Sequence, residues 1–145
     1  MSEASIGPVS EWTETLESRR NWVKGWIPDE ATAAQFDTDP RVKMNILIAV
    51  AEELELDNTP AWQALGIVFG DALSLVTGLP WGEITDEYGT DPCLVANAAK
   101  NAVVFPMTML SKRAEQGQRP DRETILNLFQ QAANQAQELA AQAQG

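Results

Sequence analysis

The sequence contains no histidine and only one cysteine among its 145 residues. Without an imidazole, the chain has no Ser-His or Cys-His nucleophile pair and no side chain that ordinarily titrates near neutral pH. The lone Cys93 cannot form an internal disulfide, and the sequence has no Cys/His cluster that would bind zinc. An enzyme made from this chain would therefore depend on carboxylates, lysines or Tyr88, the single tyrosine.

Basic residues are also scarce. Ten lysines and arginines stand against 21 aspartates and glutamates, which gives a formal net charge of −11. Such a charge repels phosphate backbones and anionic lipid headgroups over a Debye length of roughly 8–10 Å. We therefore expect no binding to nucleic acid or to membranes, and a basic protein as the favoured partner. The alternative is that the acidity only keeps the protein in solution.

Long apolar runs are absent as well. Stretches such as "ILIAVA" and "LGIVFG" fall far short of the ~20 residues that span a bilayer. The first residues, "MSEASIGPVSEW", have neither the basic nor the apolar region of a secretory signal. We expect a soluble, cytoplasmic protein with a single domain over residues 1–145, since 44% hydrophobic residues are sufficient for one core at this length.

Cap residues, prolines and glycines that start or stop helices recur along the chain. The clearest helix is "AWQALGIVFGDALSLVT", which Thr59 and Pro60 open and Gly78 ends. The pair Asp39 and Pro40 opens another. The predicted helices cover about residues 10–25, 40–54, 60–77, 106–116 and 121 onward, with one further turn near residues 31–36.

Between Pro80 and Pro106 the pattern changes to short segments with β-branched or aromatic residues. The segments "WGEIT", "CLVANA" and "AVVFP" are separated by the turn-like "DEYGTDP" and "KN". This spacing predicts a three-stranded antiparallel meander. The expected fold class is α+β, with four main helices and a shorter one packed around that small sheet.

The two ends of the chain have less to bury. We expect residues 1–9 to form a flexible N-terminus. Residues 130–145 consist mainly of alanine and glutamine, which favour a helix but offer little apolar surface. The expected outcome is a helix end that projects into solvent, and packing on a neighbouring element is the alternative.

The periodicity also predicts which residues form the core and where two backbones meet. Gly66, Gly70 and Ser74 recur every fourth residue and leave one stripe of their helix almost without side chains. Since a glycine in a helix interior costs roughly 1 kcal/mol relative to alanine, we expect another backbone to pack closely there. The predicted core comprises Leu16, Val23, Ile46, Val50, Trp62, Leu65, Phe69, Leu73, Val95, Val104, Phe105, Leu110, Ile125 and Leu128.

The stretch "PWGEITDEYGTD" contains four acidic residues. Counted from Asp86, its sixth position is Asp91, where a calcium loop of the EF-hand kind requires glycine. We therefore predict no metal and no cofactor. Glu83 and Asp86 would act with Asp71 as weak catalytic candidates for a hydrolase if the fold placed two carboxylates across a cleft about 5–10 Å wide.

The simpler interpretation of this stretch is a hairpin turn. Gly89 would supply a positive φ, and Asp91 would bond to local amides. Among the five tryptophans, Trp22 is the most favoured for exposure because it lies off the apolar stripe of its helix. The predicted binding residues are Trp22, Trp81, Asp86, Glu87 and Tyr88.

Asp71 lies in the middle of a helix, with Ile67 and Leu75 at neighbouring positions on its surface. A carboxylate among apolar residues is costly unless it is paired. Lys112 and Arg113, in the next predicted helix, are the expected partners. We predict a structural ion pair between that helix and the helix of Asp71.

Three stretches, "WQALGIVFGDAL", "LPWGEITDEYGTD" and "VVFPMTMLSKRAEQG", together resemble the bacterial domain-of-unknown-function family 3806. The resemblance covers about residues 60–117. It rests on Trp62, Leu65, Gly66, Gly70, Trp81, Asp86, Gly89, Pro106, Lys112 and Arg113. It implies a small α+β domain and no established activity.

Two functions are compatible with these features. The first is a non-enzymatic protein-binding module, such as an adaptor, inhibitor or immunity-like protein, that recognises a basic partner. The second is a carboxylate-based hydrolase or small-ligand-binding protein that uses Asp71, Glu83 and Asp86 near Trp81. The second requires at least two of these carboxylates in one pocket, whereas the first predicts that they are dispersed or already paired.

Overall fold

The computed structural model describes residues 4–100 and 102–142. Its architecture is α+β, as predicted, with six α-helices and a four-stranded antiparallel sheet among these residues. The helices are α1 (Thr13–Lys24), α2 (Glu30–Phe36), α3 (Pro40–Ala51), α4 (Thr59–Thr77), α5 (Met109–Glu115) and α6 (Arg122–Gln142). The strands are β1 (Ser5–Gly7), β2 (Trp81–Asp86), β3 (Gly89–Asn97) and β4 (Ala102–Val104). Short 3-10 helices cover Ala98–Lys100 and Pro106–Thr108.

Helix α4 lies at the centre of the molecule. It packs against α1, α3, α5 and α6, and its side chains are buried along most of its length. Its end signals act nearly as predicted: Gly78 ends it with a φ of 78°, and the N-cap is Asn58, one residue before the predicted Thr59. Asn58 can cap because its side-chain oxygen accepts the N–H of Ala61 at 3.3 Å.

The sheet has the order β1-β2-β3-β4 and contains one strand more than predicted. The additional strand, β1, pairs antiparallel with β2 and places Ile6 opposite Ile84. Strand β1 lies within the segment 1–9 for which we expected flexibility, and residues 1–3 lie outside the described residues. A strand of three residues is too short to show the alternation by which strands are recognised in a sequence.

Most of the predicted core is buried, and one prediction is wrong. Ile46, Val95 and Leu128 are only partly buried. Phe105 is 42% exposed, because side chains alternate along extended backbone and its neighbour Val104 faces the core. The confirmed core residues are Leu16, Val23, Val50, Trp62, Leu65, Phe69, Leu73, Val104, Leu110 and Ile125.

The Ala/Gln-rich end of α6 packs on the body of the protein. Ala132, Ala133 and Ala136 are buried, and Leu139 packs against the core. Over Ala132 to Leu139 the helix therefore does not project into solvent as expected. It packs on neighbouring elements, which was the alternative. Alanines on one helical face let α6 approach α4, β3 and β4 closely without large side chains. Residues 143–145 lie outside the described residues.

None of the helices in residues 4–100 and 102–142 combines the length and the apolar content that crossing a membrane requires.

The glycine stripe of α4 is a site of close packing, as predicted. A Cβ added to Gly66 would overlap the carbonyl oxygen of Met107 and lie 2.8 Å from the carbonyl oxygen of Pro106. A Cβ added to Gly70 would lie 2.5 Å from the indole ring of Trp81. The stripe therefore packs against the 3-10 helix Pro106–Thr108 and against the first residue of β2.

We expect Gly66→Ala to lower the free energy of unfolding by about 2 kcal/mol, because overpacking against backbone atoms outweighs the roughly 1 kcal/mol by which alanine favours a helix. Gly7→Ala is the matched control, since nothing lies within 4 Å of a Cβ at that position. It should change stability by less than about 0.5 kcal/mol. Urea melts give the free energy of unfolding of both variants. If Gly66→Ala were as stable as Gly7→Ala, the backbone at Gly66 would have room for a side chain and the close packing would not require glycine.

Candidate functional site

Asp71 is held by two donors from other elements. Arg20 of α1 forms a bidentate pair with it, with Nε 2.7 Å from Oδ2 and Nη2 2.8 Å from Oδ1. The indole N–H of Trp81 donates to the same Oδ1 at 2.8 Å. The Asp71 side chain is only 11% exposed, so these charge-assisted bonds join α1, α4 and β2 in a largely desolvated place.

The predicted pairing of Asp71 with Lys112 and Arg113 is wrong. One residue along a helix corresponds to a rotation of about 100°. Gly70 faces Trp81 and Pro106, and Asp71 is turned from that direction toward α1. Lys112 and Arg113 instead line a groove between α5 and α6. Nothing in the sequence distinguished Arg20 as the partner, because the pair is separated by 51 positions.

Glu83 is buried, at 6% exposure, and has a structural role. Its Oε1 accepts the backbone N–H of Ser10 at 2.7 Å and of Trp12 at 2.8 Å. These two residues precede α1, where unpaired N–H groups and the helix dipole favour a negative charge. Glu83 therefore fastens the start of α1 to the sheet.

Asp86 lies at the exposed end of the β2–β3 hairpin. It pairs with Gly89, which leaves Glu87 and Tyr88 as a two-residue loop. Gly89 has a φ of 132°, which confirms the predicted positive value. The carboxylate that accepts a local amide is Asp86, from the N–H of Tyr88 at 2.8 Å, and not Asp91 as predicted.

The three candidate catalytic carboxylates are thus held in three separate places. Asp71 is paired with Arg20, Glu83 binds backbone amides, and Asp86 stabilises a turn. Among the described residues, no three His, Cys, Asp or Glu side chains lie together in a way that would hold a metal ion. Each of the three carboxylates is therefore engaged by a different part of the fold.

The predicted binding residues are also separated. Tyr88 is 89% exposed at the hairpin tip, with Asp86 and Glu87 beside it. Trp81 is partly buried, its ring packs on Gly70, and its N–H is donated to Asp71. The structure therefore uses Trp81 for packing.

Trp22 lies on the outer side of α1 and is 41% exposed, in agreement with the predicted exposure. The three-residue step from Val23 would place Trp26 on the apolar stripe if the helix continued, but Trp26 is 46% exposed. Their rings meet edge to face, with centroids 5.8 Å apart and an interplanar angle of 72°. Trp26 was missed because α1 ends at Lys24, so helical spacing no longer describes its direction.

A groove of about 590 Å³ runs between α1 and the first turns of α4, with Trp22 in its lining. Arg19 crosses its edge and donates to the carbonyl oxygen of Pro60 at 2.7 Å, which fixes the two helices relative to each other. Thr15, Ser18 and Trp22 of α1 line one side, and Pro60, Ala61 and Ala64 of α4 line the other.

Exposed acids surround the two elements that form this groove. One group lies at the start of α1, and the other lies in the loop that leads to Asn58 and α4. These acids are Glu11, Glu14, Glu17, Glu52, Glu53, Glu55 and Asp57. The lining of the groove therefore contains one exposed tryptophan, Trp22, and one acid, Glu14, with further exposed acids on the neighbouring segments.

Cys93 lies on β3 and is fully buried. Burial, together with the charges of Asp91 and Glu83, raises the pKa of its thiol to about 11. A thiol that keeps its proton at neutral pH is a poor nucleophile. Cys93 is therefore a core residue.

The central part of this chain identifies its family. A family model with the description "Domain of unknown function (DUF3806)" matches residues 44–125, and the chain belongs to that family. The match extends the resemblance found over about residues 60–117, and it leaves α1 outside. No curated protein matches the chain, and no solved structure matches it.

We expect Asp71→Ala to lower the free energy of unfolding by about 2–3 kcal/mol, between the costs of breaking an exposed and a buried ion pair. Arg20→Ala should cost less, because Asp71 keeps the Trp81 donor and Arg20 is a third exposed. The double variant should be non-additive by about 1 kcal/mol or more. Denaturant melts test this, with Arg113→Ala as the matched control. A coupling with Arg113 instead of Arg20 would contradict the assignment.

Ionisation of the Cys93 thiol should change the free energy of unfolding only at alkaline pH. Because its pKa is raised to about 11 in the folded protein from an ordinary 9.0, the unfolded thiol ionises first. Its contribution to stability is therefore constant below pH 9 and declines between about pH 9 and 11. Melts of the wild type and Cys93→Ala should diverge in slope only in that window. Rapid alkylation of the native thiol at pH 8 would contradict this account.

Proposed function

We propose that this protein is a non-enzymatic protein-binding module whose groove between α1 and α4 receives a basic segment of a partner protein. The observation that carries the proposal is the exposed Trp22, which lines the groove and whose ring packs against the exposed Trp26. Tryptophan is strongly enriched among the residues that dominate binding energy at protein interfaces. Two half-exposed indole rings in contact form a ready apolar anchor site.

The charge of the surroundings favours a basic occupant. Glu14 lines the groove, six further exposed acids lie on or next to the elements that form it, and the whole chain carries a net charge of −11. Complementary charge increases the rate at which partners meet and excludes acidic competitors. Arg19 is the basic residue in the lining of the groove, and its guanidinium donates to the carbonyl oxygen of Pro60. Arg19 is therefore already bound within the protein.

The separation of the carboxylates supports this function over a hydrolase. Asp71, Glu83 and Asp86 each stabilise a different part of the fold. A protein-binding module does not require them to face one another. A hydrolase of the retaining or inverting kind does.

We expect peptides selected from a displayed random-sequence library to be basic and to contain an apolar anchor residue. They should bind Trp22→Ala about 10- to 30-fold more weakly than the wild type, the effect of losing an interface tryptophan worth about 2 kcal/mol. Their affinity should also fall as salt concentration rises. Fluorescence titration gives the dissociation constants.

Tyr88→Ala is the matched control, because Tyr88 is an exposed aromatic residue at the hairpin tip, away from the groove. It should leave the dissociation constants unchanged. Selection of acidic peptides, failure to enrich any peptide, or equal binding to Trp22→Ala would each refute the proposal. Weaker binding to Tyr88→Ala alone would move the site to the hairpin tip.

A further inference from the structure

Lys43 of α3 is a charged residue in an unusual position. It is only 5% exposed, and its ammonium lies 4.4 Å from the centroid of the Phe36 ring. No group in the described part of the chain forms a hydrogen bond or an ion pair with it. The side chain is buried, and the carboxylates of Asp71 and Asp37 act on its ammonium only from beyond ion-pair distance, so holding this charge there is costly to the fold.

The other charges around Lys43 are already matched. Arg20 is paired with Asp71, and Lys24 is paired with Asp37 at 2.8 Å. Each pair is neutral overall, so Lys43 supplies one positive charge that no ion pair among the described residues balances. On a chain with a net charge of −11, this is a local excess of the opposite sign.

A pocket of about 270 Å³ opens beside these groups. It is lined by Arg20, Asp37, Lys43, Asp71, Ser74 and Leu75. Its volume corresponds to about nine water molecules at roughly 30 Å³ each. A small organic molecule fits such a space, and a nucleotide does not.

The geometry points to a second ligand site here, in which Lys43 and Arg20 bind the carboxylate of a small organic monoanion. Arg20 gives two of its five N–H groups to Asp71 and retains donors for a ligand. One negative charge balances Lys43, whereas the nearby Asp37 and Asp71 oppose a dianion such as phosphate. The exposed side chain of Leu75 suits a short apolar tail.

The electrostatics of Lys43 agree with this assignment. Burial lowers the pKa of Lys43, while Asp71 and Asp37 act to raise it and Arg20 and Lys24 act to lower it. A bound carboxylate adds a further negative charge beside the ammonium. The pKa of Lys43 therefore rises when the ligand binds.

Butyrate is a suitable probe, and neutral butyramide is its matched control. We expect saturable binding of butyrate, with butyramide bound about tenfold more weakly or not at all, because hydrogen bonds to a charged group are the stronger ones. Lys43→Met, which keeps the length of the side chain and removes its charge, should weaken butyrate binding about tenfold or more. Lys112→Met, at an exposed lysine of α5, should leave it unchanged.

A second measurement needs no variant. The carbon-13 signal of Lys43 Cε, followed against pH in the wild-type protein, should titrate at higher pH when butyrate is present. No shift of this titration, or equal binding of butyrate and butyramide, would overturn the proposal. Trp22→Ala should bind butyrate normally, so the outcome is independent of the peptide-binding groove.

Discussion

The close approach of α4 to its neighbours determines the arrangement of the whole protein. Without side chains at Gly66 and Gly70, the helix admits the backbone of the Pro106–Thr108 turn and the ring of Trp81 against its surface. The turn fixes where α5 begins, and Trp81 fixes where β2 begins. The indole N–H of Trp81 then reaches Asp71, one residue beyond Gly70. The close packing of the α4 backbone thus positions the hydrogen bond between Trp81 and Asp71.

Helix α1 is attached to this frame through carboxylates. Asp71 of α4 binds Arg20, and Glu83 of β2 binds the amides that precede the helix. Both acids lie within the family match over residues 44–125, whereas α1 lies outside it. The acids that resembled catalytic groups therefore hold in place the helix that carries Trp22. They stabilise one wall of the groove.

The fold was predictable where local chemistry decides it. Asp39 with Pro40 and the αL glycine Gly78 mark helix ends because capping depends on a few neighbouring residues. The β2–β3 hairpin followed from the turn chemistry at Gly89. Strand β1 was missed because a three-residue strand exists only through its pairing with β2. The direction of Phe105 likewise depends on which face of the sheet is covered.

The candidate sites were likewise predictable only where local sequence decides them. The sequence alone determined the absence of histidine, the excess of acids, the α+β class and the exposure of Trp22. Only the tertiary structure decided that Asp71 pairs with Arg20 and that Lys43 is buried with no ionic partner among the described residues. These are contacts between residues far apart in the chain. No local pattern encodes them, because which faces of two helices meet is set by the packing of all the elements together.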